Sequence, residues 1–337
     1  MFDISTLDKF DTQGMYKVYD RWPQIAKESY ESNLEPIDFK DIDHIVFSGM
    51  GGSGAIGDIL SSILSKTDIH VKVVKGYHLP TTVDSNTLVV TTSISGNTIE
   101  TLSVLESASR KVCKIIAFSS GGKIETFCSK NDIEYRKVPQ YNSPRASFTA
   151  FVYSVLHVMN SILPINKQDI FESISTLENL SNQVSSKNLT EKNPSLNLAE
   201  WISGISIIYY PWGLQPAATR FKNSLQENTK SHAMTENIIE ACHNGIVSWE
   251  KPSNVRPILI QGQDDYIKTK ERWKILKEYF ETNGIEFREV LSESGSILTK
   301  LIGLIYILDY STIYLAVKNK IDPSPINSID FIKSKLS

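Results

Sequence analysis

Three cysteines, Cys113, Cys128 and Cys242, are all that the 337 residues contain. The count is odd and no two of them form a C-x-x-C pair. This argues against a disulfide framework and against a zinc site, and it suits a reducing cytosol. A strong charge of either sign is also missing, since 35 Lys and Arg against 38 Asp and Glu leave a net charge of −3. No nucleic acid is therefore expected as partner, whereas a small anion needs only a few well-placed donors. The opening residues, MFDISTLDKFD, carry acids and no apolar core, so no secretory leader is expected. The most apolar stretch, 301–316, contains Asp309 and is shorter than the roughly 20 residues a membrane span requires. It reads as a buried helix, and no membrane association is expected. What the chain does have is 41% hydrophobic and 22% charged residues, an ordinary globular balance with material for about two domains of ~150 residues.

After a helical leading segment of some forty residues, short apolar runs alternate with helix-like stretches. The pattern predicts strands at 44–47, 69–74, 87–92, 114–118 and 133–138, with helices at 53–65, 98–111 and 123–130. Such alternation implies a parallel sheet covered on both faces by helices. An apolar helix at 148–162 and an amphipathic one at 168–183 follow, then the Ser-, Asn- and Lys-rich stretch 185–197, which reads as a linker. Beyond it the alternation resumes, with strands at 205–210, 257–261 and 286–290 and helices at 216–230, 267–282 and 301–316. The expected organisation is an N-terminal α/β domain over 1–165, a helix and linker over 166–197, and a second α/β domain over 198–337.

Two turns carry the chemistry of the first half. SGMGGSGAIGD, 48–58, follows a strand and opens a helix, and satisfies G-x-G-x-x-G at Gly49, Gly51 and Gly54. A dinucleotide site also wants an acid at the end of the next strand, which here ends in Lys75 and Gly76, while Asp68 lies on the wrong side. The second turn, 91–102, crowds Ser93, Ser95, Asn97 and Thr98 around Gly96. Hydroxyls and free N–H groups at a helix start form an anion cradle, although the same residues serve as ordinary helix caps. Two such turns at neighbouring strand ends favour the cradle. Neither ends in G-K-[ST], so a phosphomonoester suits it better than a nucleoside triphosphate.

Arg145, after Pro144 at a helix entrance, reads equally as an oxyanion or phosphate partner and as a surface arginine. The densest polar region, 221–249, holds Glu227, Asn228, His232, Glu236, Glu240, His243 and Asn244. None of its spacings matches a known zinc motif, so no metal is expected. A carboxylate and a histidine in one region suit general acid–base chemistry, and exposed carboxylates of a polar helix surface look the same from sequence.

GMGGSG at 49–54, SISGNTIET at 93–101, SPR at 143–145, KNSLQEN at 222–228, ACHN at 241–244 and the tail IDPSPINSIDFIKSKL occur in this order. In these the chain resembles the archaeal-type bifunctional phosphoglucose/phosphomannose isomerases, which are built from two sugar isomerase (SIS) domains. The resemblance implies two three-layer αβα domains and an aldose–ketose isomerase without cofactor, acting as a homodimer with shared active sites. It implies that Ser53, Ser93, Ser95 and Thr98, with the N–H groups of Gly51 and Gly52, hold the sugar phosphate. Glu227 would be the base, Arg145 would stabilise the enediolate oxygen, His243 from the partner subunit would open the ring, and Lys333 would assist near the ring oxygen. The family's tail threonine has no counterpart here beyond Ser324 and Ser328. Where relatives often read H-N-E, this chain reads His243-Asn244-Gly245. The rival readings are a non-catalytic SIS-type sugar-phosphate sensor, an isomerase for a single sugar phosphate, and an NAD oxidoreductase.

Overall fold

A computed structural model describes residues 2–336. Two short helices, α1 (Ile4–Phe10) and α2 (Met15–Asp20), lead into α3 (Trp22–Tyr30). A β/α series follows: β1 (His44–Ser48), α4 (Gly51–Leu64), β2 (His70–Val74), β3 (Thr87–Ser93), α5 (Ile99–Ala108), β4 (Lys114–Ser119), α6 (Gly122–Lys130) and β5 (Glu134–Lys137). Helices α7 (Phe148–Val158), α8 (Lys167–Val184) and α9 (Pro194–Trp201) precede a second series. That series runs β6 (Ile205–Tyr210), α10 (Gln215–Thr229), β7 (Ala233–Asn237), α11 (Ile238–Ala241), β8 (Val255–Gln261), α12 (Ile267–Thr282), β9 (Arg288–Leu291), α13 (Ile297–Lys318) and α14 (Asn327–Leu336).

The chain forms two compact units, one of residues 21–178 with 295–299, the other of 1–20, 179–294 and 300–337. The leading twenty residues, placed by sequence with the N-terminal domain, thus belong to the unit that contains the second sheet. The first unit's sheet has the order β2-β1-β3-β4-β5, with every pairing parallel. Its central strands β1 and β3 are buried along their whole length, which is why their middles, 45–47 and 88–90, read as short apolar runs. The edge strands β2 and β5 carry His, Lys, Glu and Arg and are largely open to solvent. Helix α3 lies against α7, where the Trp22 and Phe148 rings are 5.8 Å apart and Trp22 Nε1 donates to the Ala146 carbonyl at 2.9 Å.

The second sheet has the order β7-β6-β8-β9, again wholly parallel. Tyr209, Trp249, Leu259, Trp273 and Phe280 fill the space between this sheet and its helices. By length and composition α13 could cross a membrane, but 94% of its apolar window is buried inside the protein, as expected of a core helix. Its Tyr306, Tyr310 and Tyr314 recur every fourth residue and share one face. Their hydroxyls reach Tyr19 O at 2.9 Å, Asp20 Oδ1 at 2.5 Å and Val184 O at 2.7 Å, so each buried phenol is satisfied.

The stretch 185–197 is not a solvated linker. Asn193 and Ser195 are fully buried, and the Asn193 side chain caps α9 through the N–H groups of Ser195 and Leu196. Its amide also donates to the Val184 carbonyl at 3.1 Å. The Asn-Pro pair that suggested a loop is a helix start, with Pro194 in the first turn, where its missing N–H costs nothing. Strand β7 was not predicted, because AMTEN has no apolar run and only Ala233 is buried.

Candidate active site

In the first unit, the chain leaves β1 toward β2 and leaves β3 toward β4, so the crossovers diverge on either side of the β1–β3 pair. That is a topological switch point, where parallel sheets open a crevice at the strand carboxyl ends. The two turns singled out by sequence stand there, one after each strand, and Ser48 and Thr91 are register partners just below them. Gly49 lies so close to β3 that a Cβ would meet the Thr92 carbonyl at 2.9 Å.

Helices α4 and α5 both start without a side-chain cap. Met50 occupies the N-cap position of α4 and makes no capping bond. Thr98 occupies that of α5, and its hydroxyl is instead 2.9 Å from Ser93 Oγ. The plain capping role is thereby removed for Thr98, and in α4 the Ser53 N–H turns back to the Met50 carbonyl at 3.0 Å, which leaves the Gly51 and Gly52 N–H groups to face a ligand or water. The turns also hold each other, since the Ile94 N–H donates to Ser53 Oγ at 3.1 Å. Ser53 and Ser93 are buried, while Ser95 and Thr98 are half-exposed and Gly51 is open to solvent. Four hydroxyls and two helix starts therefore gather in one place, which is the composition of a phosphomonoester cradle.

Arg145 belongs to the same unit and is not a surface arginine, being 4% exposed. Its turn is tied by Ala146 N–H to Ser143 Oγ at 3.2 Å and by Ser147 Oγ to the Ser143 carbonyl at 2.8 Å. It abuts the first cradle turn, where a Cβ on Gly52 would stand 3.6 Å from the Pro144 carbonyl.

Sequence reasoning missed a third turn, Ser119–Gly122, that braces the second. Ser120 N–H and Oγ both donate to the Ile94 carbonyl, at 3.0 and 2.7 Å. Ile124 N–H donates to the Gly96 carbonyl at 3.0 Å and Lys123 N–H to Asn97 Oδ1 at 3.1 Å. The Ser-Ser-Gly-Gly run after the strand was the available signal, and Gly121 and Gly122 both take positive φ.

The corresponding turn of the second sheet, after β8, is filled from within. Gly262 N–H donates to Asp265 Oδ2 at 3.1 Å, Trp273 Nε1 donates to the same oxygen at 3.0 Å, and a Cβ on Gly262 would meet Asp265 Oδ1 at 2.4 Å. A carboxylate occupies the space and repels an anion, so the turn after β8 offers no cradle.

The second unit carries the remaining candidates. Glu227 is half-buried in the last turn of α10, which ends at Lys230 in the left-handed conformation, φ 58°. The Lys230 ammonium donates to the Pro325 carbonyl at 2.8 Å and so ties the helix end to the tail. His243 is exposed on the turn after α11, its N–H donating to the Glu240 carbonyl at 2.8 Å. Lys333 is exposed on α14, Ser328 is exposed, and Ser324 is buried. Glu236, at the carboxyl end of β7, has its carboxyl raised above the usual range by burial and then by Glu240. It lies over Gly245, where a Cβ would meet both carboxylate oxygens at 2.5 Å. Among the described residues, no three His, Cys, Asp or Glu side chains converge where a metal ion would sit.

Two parallel sheets, with a hydroxyl-lined cradle at a switch point of the first, define a protein of the SIS class. A family model described as "SIS domain" matches residues 38–159, and one described as "Bacterial phospho-glucose isomerase C-terminal SIS domain" matches 191–336. Relatives include the bifunctional phosphoglucose/phosphomannose isomerases of Caldicellulosiruptor bescii, 33% identical over 94% of this chain and 96% of that one, and of Aquifex aeolicus, 30% identical over 96% of both. A D-glucosamine-6-phosphate 4-epimerase of Sulfolobus acidocaldarius is 30% identical over 73% of this chain and 77% of that one. Among solved structures, tagatose-6-phosphate ketose/aldose isomerase from Escherichia coli has the same fold, with a TM-score of 0.67 at 14% identity over 93% of this chain and 95% of that one. This chain belongs to the bifunctional phosphoglucose/phosphomannose isomerase family.

Proposed function

We propose that the protein interconverts glucose 6-phosphate, mannose 6-phosphate and fructose 6-phosphate through an enediolate. The observation that carries this reading is the pair of uncapped helix starts at the β1–β3 switch point, ringed by Ser53, Ser93, Ser95 and Thr98. These hydroxyls, with Gly51 and Gly52 N–H, take the phosphate. Glu227 removes the proton from C2 of the aldose and returns it to C1. Arg145 stabilises the negative oxygen that develops between these steps. If C2 is reprotonated on either face, one intermediate yields both epimers. His243, reaching from the partner subunit of a homodimer, opens the sugar ring, and Lys333 assists at the ring oxygen. Exposure of His243 and Lys333 supports roles at such a shared site. No cofactor takes part; the small net charge supports a small-molecule substrate, and the three cysteines without a C-x-x-C pair support a reducing cytosol.

The test is incubation of the purified protein with fructose 6-phosphate and separation of the products. Glucose 6-phosphate and mannose 6-phosphate are expected, and both are lost in Glu227→Gln. Formation of one alone reduces the reading to a single-epimer isomerase, and binding without conversion makes the protein a sensor. The 4-epimerase relative supplies a second arm: conversion of glucosamine 6-phosphate with no action on fructose 6-phosphate would replace the proposal.

A further inference from the structure

Helix α10 carries Glu227, and Arg220, Ser224 and Asn228 lie along the same face at helical spacing. That face meets the middle of α13 through Asp309, which is fully buried. Asp309 Oδ2 accepts from Arg220 Nε at 2.9 Å, from Arg220 Nη2 at 2.7 Å and from the Tyr19 hydroxyl at 3.1 Å. Asp309 Oδ1 accepts from Ser224 Oγ at 2.8 Å. One turn further, Asn228 Nδ2 donates to Thr312 Oγ1 at 2.7 Å, and that hydroxyl donates to the Asp309 carbonyl at 2.7 Å. The last of these anchors is the residue next to Glu227.

A buried ion pair is a poor way to hold two helices together. Desolvation of both charges consumes most of their attraction, and apolar side chains of the same volume often do better. Both carboxylate oxygens of Asp309 are nonetheless hydrogen-bonded. Burial works against the Arg220 cation, and the charge of Asp309, followed by Tyr19 and Glu227, more than offsets it.

We propose that Asp309 is a positioning residue for Glu227: by holding Arg220 and Ser224, and through Thr312 also Asn228, it fixes the turns of α10 from which Glu227 projects. The inference rests on the reading of Glu227 as the base. The pair touches no substrate, so its loss lowers turnover and leaves phosphate affinity alone.

The experiment replaces the pair in the full chain by apolar groups of similar size, Arg220→Met with Asp309→Leu, and measures melting temperature, kcat and KM for fructose 6-phosphate beside Glu227→Gln. The expected result is a folded protein whose kcat falls by about 10–100-fold, the scale of a misplacement near 1 Å, with KM within about twofold of native. A kcat within about twofold of native overturns the inference, because the pair is then only structural. If the double variant does not fold, Arg220→Lys carries the test. It keeps the charge opposite Asp309 and loses the two-armed contact, so kcat falls at least about threefold with unchanged KM, and native kcat overturns the inference. Full turnover in Glu227→Gln would instead refute the reading on which the inference stands.

Discussion

A Cβ on Gly96 would lie 1.7 Å from the carbonyl oxygen of Gly121. Gly96 also takes a φ of +69°, so both space and backbone conformation demand glycine there. The two residues are where the cradle turn after β3 presses on its brace after β4. Gly96→Ala must push these turns apart. We expect a stability loss of about 1–3 kcal/mol, the scale of forced overpacking, and a rise in KM with it. Urea unfolding and steady-state kinetics on the same preparation check both.

Ser95→Ala and Thr98→Ala separate phosphate binding from helix capping. Each removes one hydroxyl from the cradle, and a hydrogen bond to a charged group is worth about 1.5–3 kcal/mol. KM for the sugar phosphates should rise by about 10–100-fold accordingly. Thr98 makes no capping bond, so the melting temperature should stay near native. A drop in melting temperature with normal KM would return Thr98 to a structural role.

Shared sites are tested by refolding Glu227→Gln together with His243→Ala. If each site takes Glu227 from one chain and His243 from the other, a mixed dimer has one site with both lesions and one with neither. Random pairing makes about half the dimers mixed, so about a quarter of all sites recover native chemistry. The residual activity of His243→Ala is subtracted first. No recovery in verified mixed dimers assigns His243 to its own chain's site or to none.

His44 makes stability depend on pH. It is 6% exposed, its Nδ1 lies 3.1 Å from Thr87 Oγ1 and its ring centre is 5.0 Å from that of His70. Burial, then the like charge of His70, lowers its pKa below the ordinary 6.5, against the pull of Asp84 and Asp43. The unfolded chain therefore takes up this proton at higher pH than the folded one. Stability is lost as pH falls below about 6.5, because the unfolded state then binds more protons. His44→Gln should flatten that part of the profile, which urea midpoints between about pH 7.5 and 5.5 measure.

Local pattern was enough for every strand but β7 and for the two cradle turns. Val89 and Val90 read as a buried parallel strand because both faces of β3 are covered. Ser93, Ser95 and Thr98 read as a cradle because a second turn of the same kind follows a neighbouring strand, whereas hydroxyls before one helix alone read as caps. Strand β7 was illegible, since Met234–Asn237 carry no buried side chain and the strand exists only by pairing with β6.

By itself, then, the sequence determined the α/β alternation, the residue types of the cradle and the family motifs, all of which are written within windows of a few residues. Only the tertiary structure decided that Ser53 and Ile94, 41 positions apart, bind each other, because the strand order that makes β1 and β3 neighbours is a property of the assembled sheet. It also decided that Asn193 caps a buried helix instead of lying in a linker. Asp309 reads in sequence as a flaw in an apolar run. Packing brings Arg220, 89 positions away, onto its carboxylate, because a charge withdrawn from water is tolerated only where its partners are delivered by another part of the chain.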